Sequence, residues 1–316
     1  MLRRTAHPAI HGVLVTYRRP DDLRVMVRRL AEQERGLDTL LVVDNDPAES
    51  ARGLTTRLAA RNGVRDGPRV TYVASGANLG PAGGIALGMR HVLSHAADHD
   101  WVVPLDDDNP PRRPDMLAEL ERFATRLREQ DPTVGAVGVC GARFEATQAR
   151  GVRIPDDELN GAVRTDWIGS GNFPLYSVCA VRAVGVFDER LFFGFDDLEY
   201  GLRLGAAGFG VYAHGGLWHD DRAFWGHLAD GTRPSRMLDE ATWRRYYSMR
   251  NLVYILRKRG HHVGAARLAA RNLAKPVYNL PRSPVLAARH LALTSRAILD
   301  AYRGRMGRTV NPAAKS

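Results

Sequence analysis

Three consecutive carboxylates follow a short apolar run in the segment WVVPLDDDNPP, residues 101–111. Like charges that stand side by side repel one another unless a cation or solvent lies among them. The apolar run predicts a buried strand of an α/β sheet, and open sheets bind ligands at the carboxyl ends of their strands. We therefore interpret Asp106, Asp107 and Asp108 as a functional cluster in preference to an acidic turn on a solvated surface.

A metal site is the chemistry that this acidic run would serve. Alternate side chains share one face of a strand, so continued strand geometry would place Asp106 and Asp108 together and turn Asp107 away. Two carboxylates on one side suit Mg²⁺ or Mn²⁺, and such an ion commonly also holds substrate phosphates. His219, in the segment GLWHDD, is a candidate third ligand; a purely structural histidine is an equal alternative.

A second acidic cluster, Asp196 and Asp197, lies in the segment FFGFDDLEY at residues 192–200. Either residue could cap the helix that the following pattern predicts, because Asp is a preferred N-cap. The aromatic neighbours add a second interpretation, since apolar surroundings raise the pKa of a carboxyl group and make it a better general base. We expect one of the two to cap the helix and the other to act as a base.

The glycine-rich segment NLGPAGGIALG, residues 78–88, opens a predicted helix. Glycines let the backbone approach a ligand closely, and the N-terminus of a helix favours anions. The segment is not GxGxxG, and the chain lacks GxxxxGK[ST], so it predicts neither a dinucleotide-binding turn nor a phosphate loop.

Strand and helix patterns alternate along the first half of the chain, and each of three predicted helices, 20–33, 81–97 and 114–129, begins with a proline. Residues 141–166 have no regular pattern, and beyond about residue 232 only helical patterns occur. This order predicts a doubly wound, mostly parallel sheet. The predicted strands are residues 10–16, 40–44, 70–74, 101–105, 134–140, 177–182 and 208–213.

The charge is unevenly distributed along the chain. The net charge is +10, yet residues 244–316 carry 16 Lys and Arg against one acid, Asp300, which leaves 29 basic and 34 acidic residues before them. We predict a mildly acidic domain, residues 1–235, followed by a basic helical region, residues 236–316. In the pattern at 285–302, arginines interleave with apolar Leu286, Leu293 and Ile298 and with His290, which fits equally a membrane-surface helix and a solvated face.

Compartment is inferred from what the chain lacks. No stretch reaches the roughly 18 apolar residues of a membrane span, and the N-terminal segment has no small-residue cleavage site. Cys140 and Cys179, the only cysteines, each lie in a strand-like apolar segment and are predicted to be buried thiols. We expect a cytoplasmic protein.

Six motifs, in their order and spacing, resemble family 2 inverting glycosyltransferases with the GT-A fold, most closely bacterial galactofuranosyl- and rhamnosyltransferases. The resemblance covers residues 9–260, and the stretches YYSMRNLVYILR and GRMG also resemble that subgroup. It implies an α/β, GT-A-like doubly wound, mostly parallel sheet with a C-terminal helical appendage. The motifs are VTYRRPDDL, LLVVDNDP, NLGPAGGIALG, WVVPLDDDNPP, FFGFDDLEYGLRL and WHD.

Roles follow from the resemblance residue by residue. It implies Asp197 as the catalytic base, Mn²⁺ or Mg²⁺ held by Asp106, Asp108 and His219, and an acceptor bound at Trp167 and Asp196. Asp44 would accept a hydrogen bond from the pyrimidine ring of the donor. The nucleotide-sugar site would comprise Thr16, Tyr17, Arg18, Asp44, Asn78, Gly83, Asp106 and Asp107.

The implied reaction is metal-dependent transfer of a sugar, galactofuranose or rhamnose, from a UDP or dTDP donor. The acceptor would be a glycan or lipid-linked hydroxyl in cell-envelope polysaccharide synthesis. One displacement with one base inverts the anomeric centre. Because such acceptors are often lipid-linked, we expect residues from about 261 to 316 to contact an anionic membrane at its inner face, as a peripheral association.

Two other classes of function fit less well. A haloacid-dehalogenase-type phosphatase would need a lysine between its acidic motifs, and the three lysines, Lys258, Lys275 and Lys315, all follow Asp197. A basic nucleic-acid-binding protein would rest on the C-terminal region alone, whose arginines are not interleaved with an aromatic stacking platform. We therefore predict no nucleic-acid partner.

Overall fold

The computed structural model describes residues 7–62, 68–228, 242–276, 281 and 283–311 of the 316-residue chain. All but one of the predicted strands are present, and their bounds differ from the predicted ones by at most two residues. The described strands are β1 (Ile10–Thr16), β2 (Thr39–Asp44), β3 (Arg69–Ala74), β4 (Trp101–Asp106), β5 (Val134–Gly138), β6 (Arg143–Glu145), β7 (Arg150–Val152), β8 (Ala162–Thr165), β9 (Leu175–Ser177) and β10 (Gly210–His214).

The helices lie between and after these strands. The three helices predicted to begin with prolines are found as α1, α3 and α4, within a few residues of their predicted bounds. The described helices are α1 (Pro20–Ala31), α2 (Arg52–Asn62), α3 (Gly80–Leu93), α4 (Met116–Gln130), α5 (Val178–Val184), α6 (Asp196–Ala206), α7 (Gly215–Leu228), α8 (Thr242–Lys258), α9 (His262–Ala274) and α10 (Pro284–Arg303).

Eight of the described strands form one mixed sheet in the order β3-β2-β1-β4-β9-β5-β10-β8. The pairs β3–β2, β2–β1, β1–β4 and β5–β10 are parallel, whereas β9 and β8 run antiparallel to their neighbours. Leu14 and Val103 pack with α1 and α4 on one face, and Val13 and Val102 pack with α3, α5 and α6 on the other. The predicted doubly wound, mostly parallel sheet is confirmed.

The sequence prediction is wrong at residues 177–182, which do not form a strand. Here β9 ends at Ser177 and α5 begins at Val178. A short apolar run does not distinguish a buried strand from a buried helix. Cys179 lies on α5 and is exposed, and Cys140 lies beyond the end of β5 and is half-buried, so the prediction of two buried strand thiols is also wrong.

Two other regions hold more regular structure than predicted. The predicted irregular stretch 141–166 contains the β6–β7 hairpin and the edge strand β8. Helix α2 follows the loop after β2 and has no counterpart among the predicted elements. The apolar residues of α2 are only weakly concentrated on one face of the helix. Helix α2 packs chiefly against the neighbouring edge strand β3.

The C-terminal helices pack closely against the sheet domain. Helix α8 contacts α9 and α10, and its Tyr247 and Leu256 share a buried cluster with Leu198 of α6 and Phe192. The predicted domain boundary at residues 235 and 236 lies outside the described residues. None of the described helices is both long enough and apolar enough to span a membrane.

Candidate active site

A cleft of about 500 Å³ opens at the carboxyl ends of the parallel strands. Strands β1 and β4 are parallel neighbours, so the residues that follow them meet at this edge. Helices α3, α6 and α8 supply the other walls. Of the predicted site residues, the cleft is lined by Thr16, Tyr17, Asn78, Asp106, Asp107, Asp108, Asp196 and Asp197.

The acidic triad, Asp106, Asp107 and Asp108, lies at one side of the cleft, and each member has a different partner. The hydroxyl of Ser170 donates to Asp106 over 2.7 Å, and the hydroxyl of Thr16 donates to Asp107 over 2.7 Å. Arg19 donates to Asp108. The triad is therefore held in place by side chains from two separate loops.

The predicted alternation of the triad is wrong because β4 ends at Asp106. Asp107 and Asp108 lie in the turn that follows, ahead of Pro110 and Pro111, which cannot continue a strand ladder. Arg19 Nη1 lies 3.5 Å from Asp107 and also contacts Asp108. Asp107 thus shares a cation with Asp108 instead of turning away from it.

The charges of the triad are only partly compensated. Burial raises the pKa of Asp106, and the charges of Asp108 and Asp107 raise it further. Burial also raises the pKa of Asp107, against the opposing effects of Thr16 and Arg19. Arg19 pairs with two of these three carboxyl groups, Asp107 and Asp108, so a cation bound here would relieve a repulsion that the fold maintains.

This donor set fits a divalent cation of the Mg²⁺ or Mn²⁺ type. Carboxylate oxygens are the hard ligands that such ions prefer, and Mg²⁺ usually binds through one or two carboxylates together with substrate phosphates. Among the residues that the structure describes, no three His, Cys, Asp or Glu side chains converge into a site that could hold a metal. A site completed by substrate oxygens is consistent with this arrangement.

The acidic pair, Asp196 and Asp197, begins α6 and lines the same cleft as the acidic triad. Phe195 occupies the N-cap position, so the expectation that one of the two acids caps the helix is wrong. Both lie in the first turn, where the helix dipole favours negative charge. Asp197 accepts a hydrogen bond from the backbone N–H of Leu198 over 2.7 Å.

Burial raises the pKa of both members of the acidic pair. For Asp196, which is 8% exposed, the neighbouring charge of Asp197 raises the pKa further. For Asp197, which is less buried, the backbone N–H of Leu198 opposes this rise in pKa, and the charge of Asp106 adds to it by a smaller amount. The pair is therefore arranged to share a proton, with Asp196 the better candidate for the protonated member because it is further from solvent.

The acidic pair is presented by a strained loop. In the FFGF loop, residues 192–195, Phe192 has a φ of 62°, Gly194 of 79° and Phe195 of 61°. Such backbone conformations cost on the order of 1–3 kcal/mol for each non-glycine residue and persist only where the surroundings enforce them. The ring of Phe192 packs 4.8 Å from that of Tyr247 on α8. The loop is thus fixed from the C-terminal side of the molecule.

The glycine-rich segment contacts this loop. A Cβ at Gly80 would lie 2.1 Å from the carbonyl oxygen of Phe192, and Gly80 has a φ of 70°. Only glycine is compatible with both constraints. At this position, therefore, the segment allows the backbone to approach the FFGF loop, whereas the sequence had suggested close approach to a ligand.

Three of the predicted nucleotide-site residues lie outside the cleft lining. Asp44 is fully buried and accepts hydrogen bonds from the backbone N–H groups of Asp46 and Ala51 over 3.0 and 2.8 Å. Arg18 is exposed and donates to Asp46 over 3.1 Å. Gly83 is buried within α3. Asp44 and Arg18 thus organise the loop after β2, and their predicted contact with a nucleotide stays a prediction.

His219 and Trp167 are also separate from the cleft lining. His219 is exposed on α7, and the structure does not bring it together with Asp106 and Asp108. Trp167 is half-buried beside Phe144, with 6.2 Å between their ring centroids. Their predicted roles in metal and acceptor binding therefore gain no support from this arrangement.

Several residues that line the cleft had not been predicted. Arg19 and Ser170 partner the triad, and their places follow from the pairing of β1 with β4 and the return of the chain into β9. The guanidinium of Arg244 lies 5.2 Å from the ring of Trp243 and 5.4 Å from that of Phe193. No sequence pattern indicates that α8 would border the cleft.

Asn45 provides an unused acceptor at the same cleft. Its amide nitrogen donates to the carbonyl of Gly80 over 2.9 Å, whereas its Oδ1 atom is buried and has no hydrogen-bond partner among the described residues. Buried polar groups are normally paired. The cleft therefore contains an acceptor that a bound ligand could satisfy.

Comparison with curated proteins finds galactofuranosyltransferases from two species. Galactofuranosyltransferase GlfT1 of Mycobacterium tuberculosis (strain H37Rv) is 35% identical over 204 residues, 62% of this chain and 64% of that protein. Its namesake from Mycolicibacterium smegmatis is 31% identical over 267 residues, 79% of this chain and 83% of that protein. The matched part thus spans about 64% of the length of the M. tuberculosis relative.

Solved structures share the fold at low sequence identity. A mannosyltransferase, PcManGT from Pyrobaculum calidifontis, in complex with GDP-Man and Mn²⁺, aligns with a TM-score of 0.53 and 17% identity over 95% of this chain and 89% of that one. GalNAc-T7 with UDP, GalNAc and Mn²⁺ aligns with a TM-score of 0.51 and 12% identity over 66% and 43%. The predicted GT-A-like fold is confirmed.

The sequence profile of the family described as "Glycosyl transferase family 2" matches residues 13–190. This range begins within β1, includes the acidic triad and the strands that pair with β4, and ends just before the FFGF loop. Together with the M. smegmatis relative, which this chain matches over 83% of its length, the match shows that the chain belongs to glycosyl transferase family 2.

Proposed function

We propose that the protein is a metal-dependent inverting glycosyltransferase that moves galactofuranose from UDP-galactofuranose to a hydroxyl of a glycan or lipid-linked acceptor in cell-envelope polysaccharide synthesis. The observation that carries the proposal is that the acidic triad and the acidic pair line one cleft. The names of the curated relatives favour galactofuranose over rhamnose.

The donor would bind along the ends of β1 and β4. Thr16, Tyr17 and Asn78 line this part of the cleft, and Asn45 Oδ1 is an acceptor for a ribose or base N–H or O–H group. Asp106 and Asp108 would hold a divalent ion, which as a Lewis acid stabilises the charge that develops on the leaving diphosphate. Arg19 adds a positive charge beside the carboxylates of Asp107 and Asp108.

The acceptor hydroxyl needs a base to become a good nucleophile, and Asp197 would take its proton. Its pKa is raised by burial, and its position at the cleft makes it accessible to an acceptor. The pKa of Asp196 is raised more than that of Asp197. Asp196 would therefore stay protonated and neutral, and would donate a hydrogen bond. A single displacement with one base inverts the anomeric centre.

Release of nucleoside diphosphate tests the proposal directly. With Mn²⁺ and a short galactofuranose-containing acceptor, UDP-galactofuranose is expected to release UDP, whereas UDP-galactopyranose, the ring isomer, is the matched control and should not. dTDP-rhamnose tests the second donor class. A rise in melting temperature with UDP and Mn²⁺ would support the nucleotide site. If the same protein turns over none of these donors, the proposed donor is wrong.

We also propose that α10 contacts an anionic membrane surface. Val285, Leu291, Leu299 and Tyr302 are 44–65% exposed. In contrast, the positions named from the sequence pattern, Leu286, His290, Leu293 and Ile298, are buried or half-buried. The apolar side that faces outward therefore differs from the one that the sequence suggested.

Three arginines are spaced seven residues apart along α10, next to the exposed apolar side chains. Arg289, Arg296 and Arg303 are all exposed, and this spacing aligns them along one edge of a helix. Each basic residue near an anionic leaflet contributes on the order of 1 kcal/mol, an effect that salt screens. Apolar side chains bordered by arginines are typical of a helix that lies in the membrane interface.

Point variants test this proposal better than deletion of residues 285–316, because α10 packs extensively on α8. The double variant Arg289→Gln, Arg303→Gln should weaken co-sedimentation with anionic vesicles roughly tenfold or more at low salt. Arg24→Gln, Arg29→Gln on α1 removes the same charge from exposed sites elsewhere and should not. Binding that is absent in the wild type, or equal in both double variants, would contradict a membrane role for α10.

A further inference from the structure

We infer that Arg250 and Asn251 on α8 are positioning residues that hold the FFGF loop in the conformation that presents the acidic pair. This inference rests on the proposed function, in which Asp197 is the base. Both side chains are 0% exposed. They lie in the stretch YYSMRNLVYILR, which the sequence singled out and to which the proposed chemistry gives no role.

Asn251 binds the backbone of the loop directly. Its amide nitrogen donates to the carbonyls of Leu191, Phe193 and Gly194 over 2.9, 2.9 and 2.8 Å. One primary amide, which has two N–H groups, thus serves three carbonyls, so that one N–H is shared between two of them. The carbonyls of Phe193 and Gly194 lie within the stretch that has positive φ angles, and that of Leu191 directly precedes it, so the contacts act where the backbone needs an external constraint.

Arg250 supports Asn251 and extends the contacts to the chain before the loop. Its Nε and Nη2 atoms donate to Asn251 Oδ1 over 3.0 and 2.9 Å, which fixes the amide with its nitrogen toward the loop. Nη2 also lies 2.9 Å from the carbonyl of Leu191 and 3.3 Å from that of Arg190. The orientation of Asn251 is therefore set by a charged donor that can only donate.

The C-terminal segment completes the arrangement. Arg250 Nη1 donates to the carbonyl of Gly307 over 2.7 Å and to the hydroxyl of Thr309 over 3.1 Å. The backbone N–H of Gly307 in turn donates to the carbonyl of Arg190 over 2.6 Å. The segment GRMG thus closes a network in which neutral oxygens surround a buried guanidinium.

Burial alone does not explain these contacts. Helix α8 could pack its apolar residues without a buried arginine, whose charge carries a desolvation cost and whose pKa burial lowers. Within the described part of the chain before α8, the hydrogen bonds of the Arg250 and Asn251 side chains all end on carbonyls of residues 190–194. Asp196 and Asp197 follow this segment in the chain, so a displacement of its backbone would move both carboxyl groups.

The variants Asn251→Ala and Arg250→Lys test the inference. We expect kcat to fall by about 10–100-fold, because misplacement of a reacting group by about 1 Å can cost that much, while the Kd for UDP with Mn²⁺ stays within twofold of the wild type. Tyr246→Phe is the matched control: it removes buried hydrogen bonds of α8 to Asp300 and to Thr309, a partner of Arg250, but leaves the contacts of Arg250 and Asn251 with residues 190–194 in place.

Two measurements separate positioning from general stability. Melting temperatures should fall similarly in Asn251→Ala and Tyr246→Phe, yet only Asn251→Ala should lose kcat at temperatures well below melting. Amide hydrogen exchange should accelerate in residues 192–197 of Asn251→Ala, a readout that does not depend on turnover and that Arg250→Lys should reproduce. Wild-type kcat, or unchanged exchange in this loop, would overturn the inference, whereas absence of transfer in the wild type would instead contradict the proposed function.

Discussion

Asp197→Asn is expected to lower kcat by about 10²–10⁴-fold, because base catalysis contributes that much and the amide cannot take the acceptor proton. The Kd for UDP with Mn²⁺ should change little, since a base acts in the transition state and not in donor binding. Steady-state transfer and direct titration of UDP binding measure the two quantities separately.

Asp196→Asn is the matched control, because it makes the same substitution one residue earlier in the same helical turn. If Asp196 is the neutral member of the pair, an amide can replace its hydrogen bond, and transfer should fall far less than in Asp197→Asn. An inactive Asp196→Asn variant beside an active Asp197→Asn variant would show that the two roles are exchanged.

The pH profile gives a second check on the same assignment. Burial raises the pKa of Asp197, so the base becomes protonated at a higher pH than an ordinary Asp. The acidic limb of kcat/KM should therefore lie above the usual range of aspartate, with activity lost as pH falls through the raised value. An acidic limb at the ordinary aspartate pKa would argue against a buried base.

The parallel strands at the centre of the sheet could be predicted because their local signals agree. The apolar run of β4 ends at Asp106, and β1 and β2 have similar runs that end at Thr16 and Asp44. A parallel sheet places these ends at one edge. The acidic triad and the residues after β1 could thus be assigned to one site before any contact was known.

The pairing of Arg19 with the triad could not be predicted, because it depends on the backbone conformation of Arg18. The resemblance implied Arg18, with Thr16 and Tyr17, in the nucleotide site and named no cation as a partner of the triad. Arg18 has a φ of 56°, and the chain turns there so that Arg18 pairs with Asp46 while Arg19 faces Asp107 and Asp108. A non-glycine residue in this conformation has no reliable sequence signature.

The contribution of α8 depends on contacts between residues far apart in the chain. Asn251 contacts carbonyls 57 to 60 residues before it, and Trp243 and Arg244 reach the cleft from the same helix. Helical periodicity indicates which residues of a helix are buried, but not which loop they are buried against. Residues 236–316 were consequently predicted to be a region separate from the sheet domain, although Trp243 and Arg244 line the cleft.

Removal of divalent cations with a chelator is expected to abolish transfer, and Mn²⁺ or Mg²⁺ should restore it. The leaving diphosphate gains negative charge as the anomeric bond breaks, and without a metal ion that charge would develop beside Asp106, Asp107 and Asp108, of which Arg19 pairs with the last two. Stabilisation by a Lewis acid is worth several kcal/mol, equivalent to a loss of roughly 10³-fold or more. Full activity in chelator would contradict the proposed metal site.

Three variants identify which residues would hold the ion. Asp106→Asn and Asp108→Asn should each raise the Mn²⁺ concentration needed for half-maximal activity, and should reduce the Mn²⁺-dependent rise in melting temperature with UDP, a readout that needs no turnover. His219→Ala should raise the Mn²⁺ requirement only if α7 moves toward the triad when donor binds, because His219 is exposed and outside the cleft lining in this structure. An unchanged Mn²⁺ requirement in His219→Ala, with both aspartate variants impaired, would mean that carboxylates and diphosphate oxygens suffice.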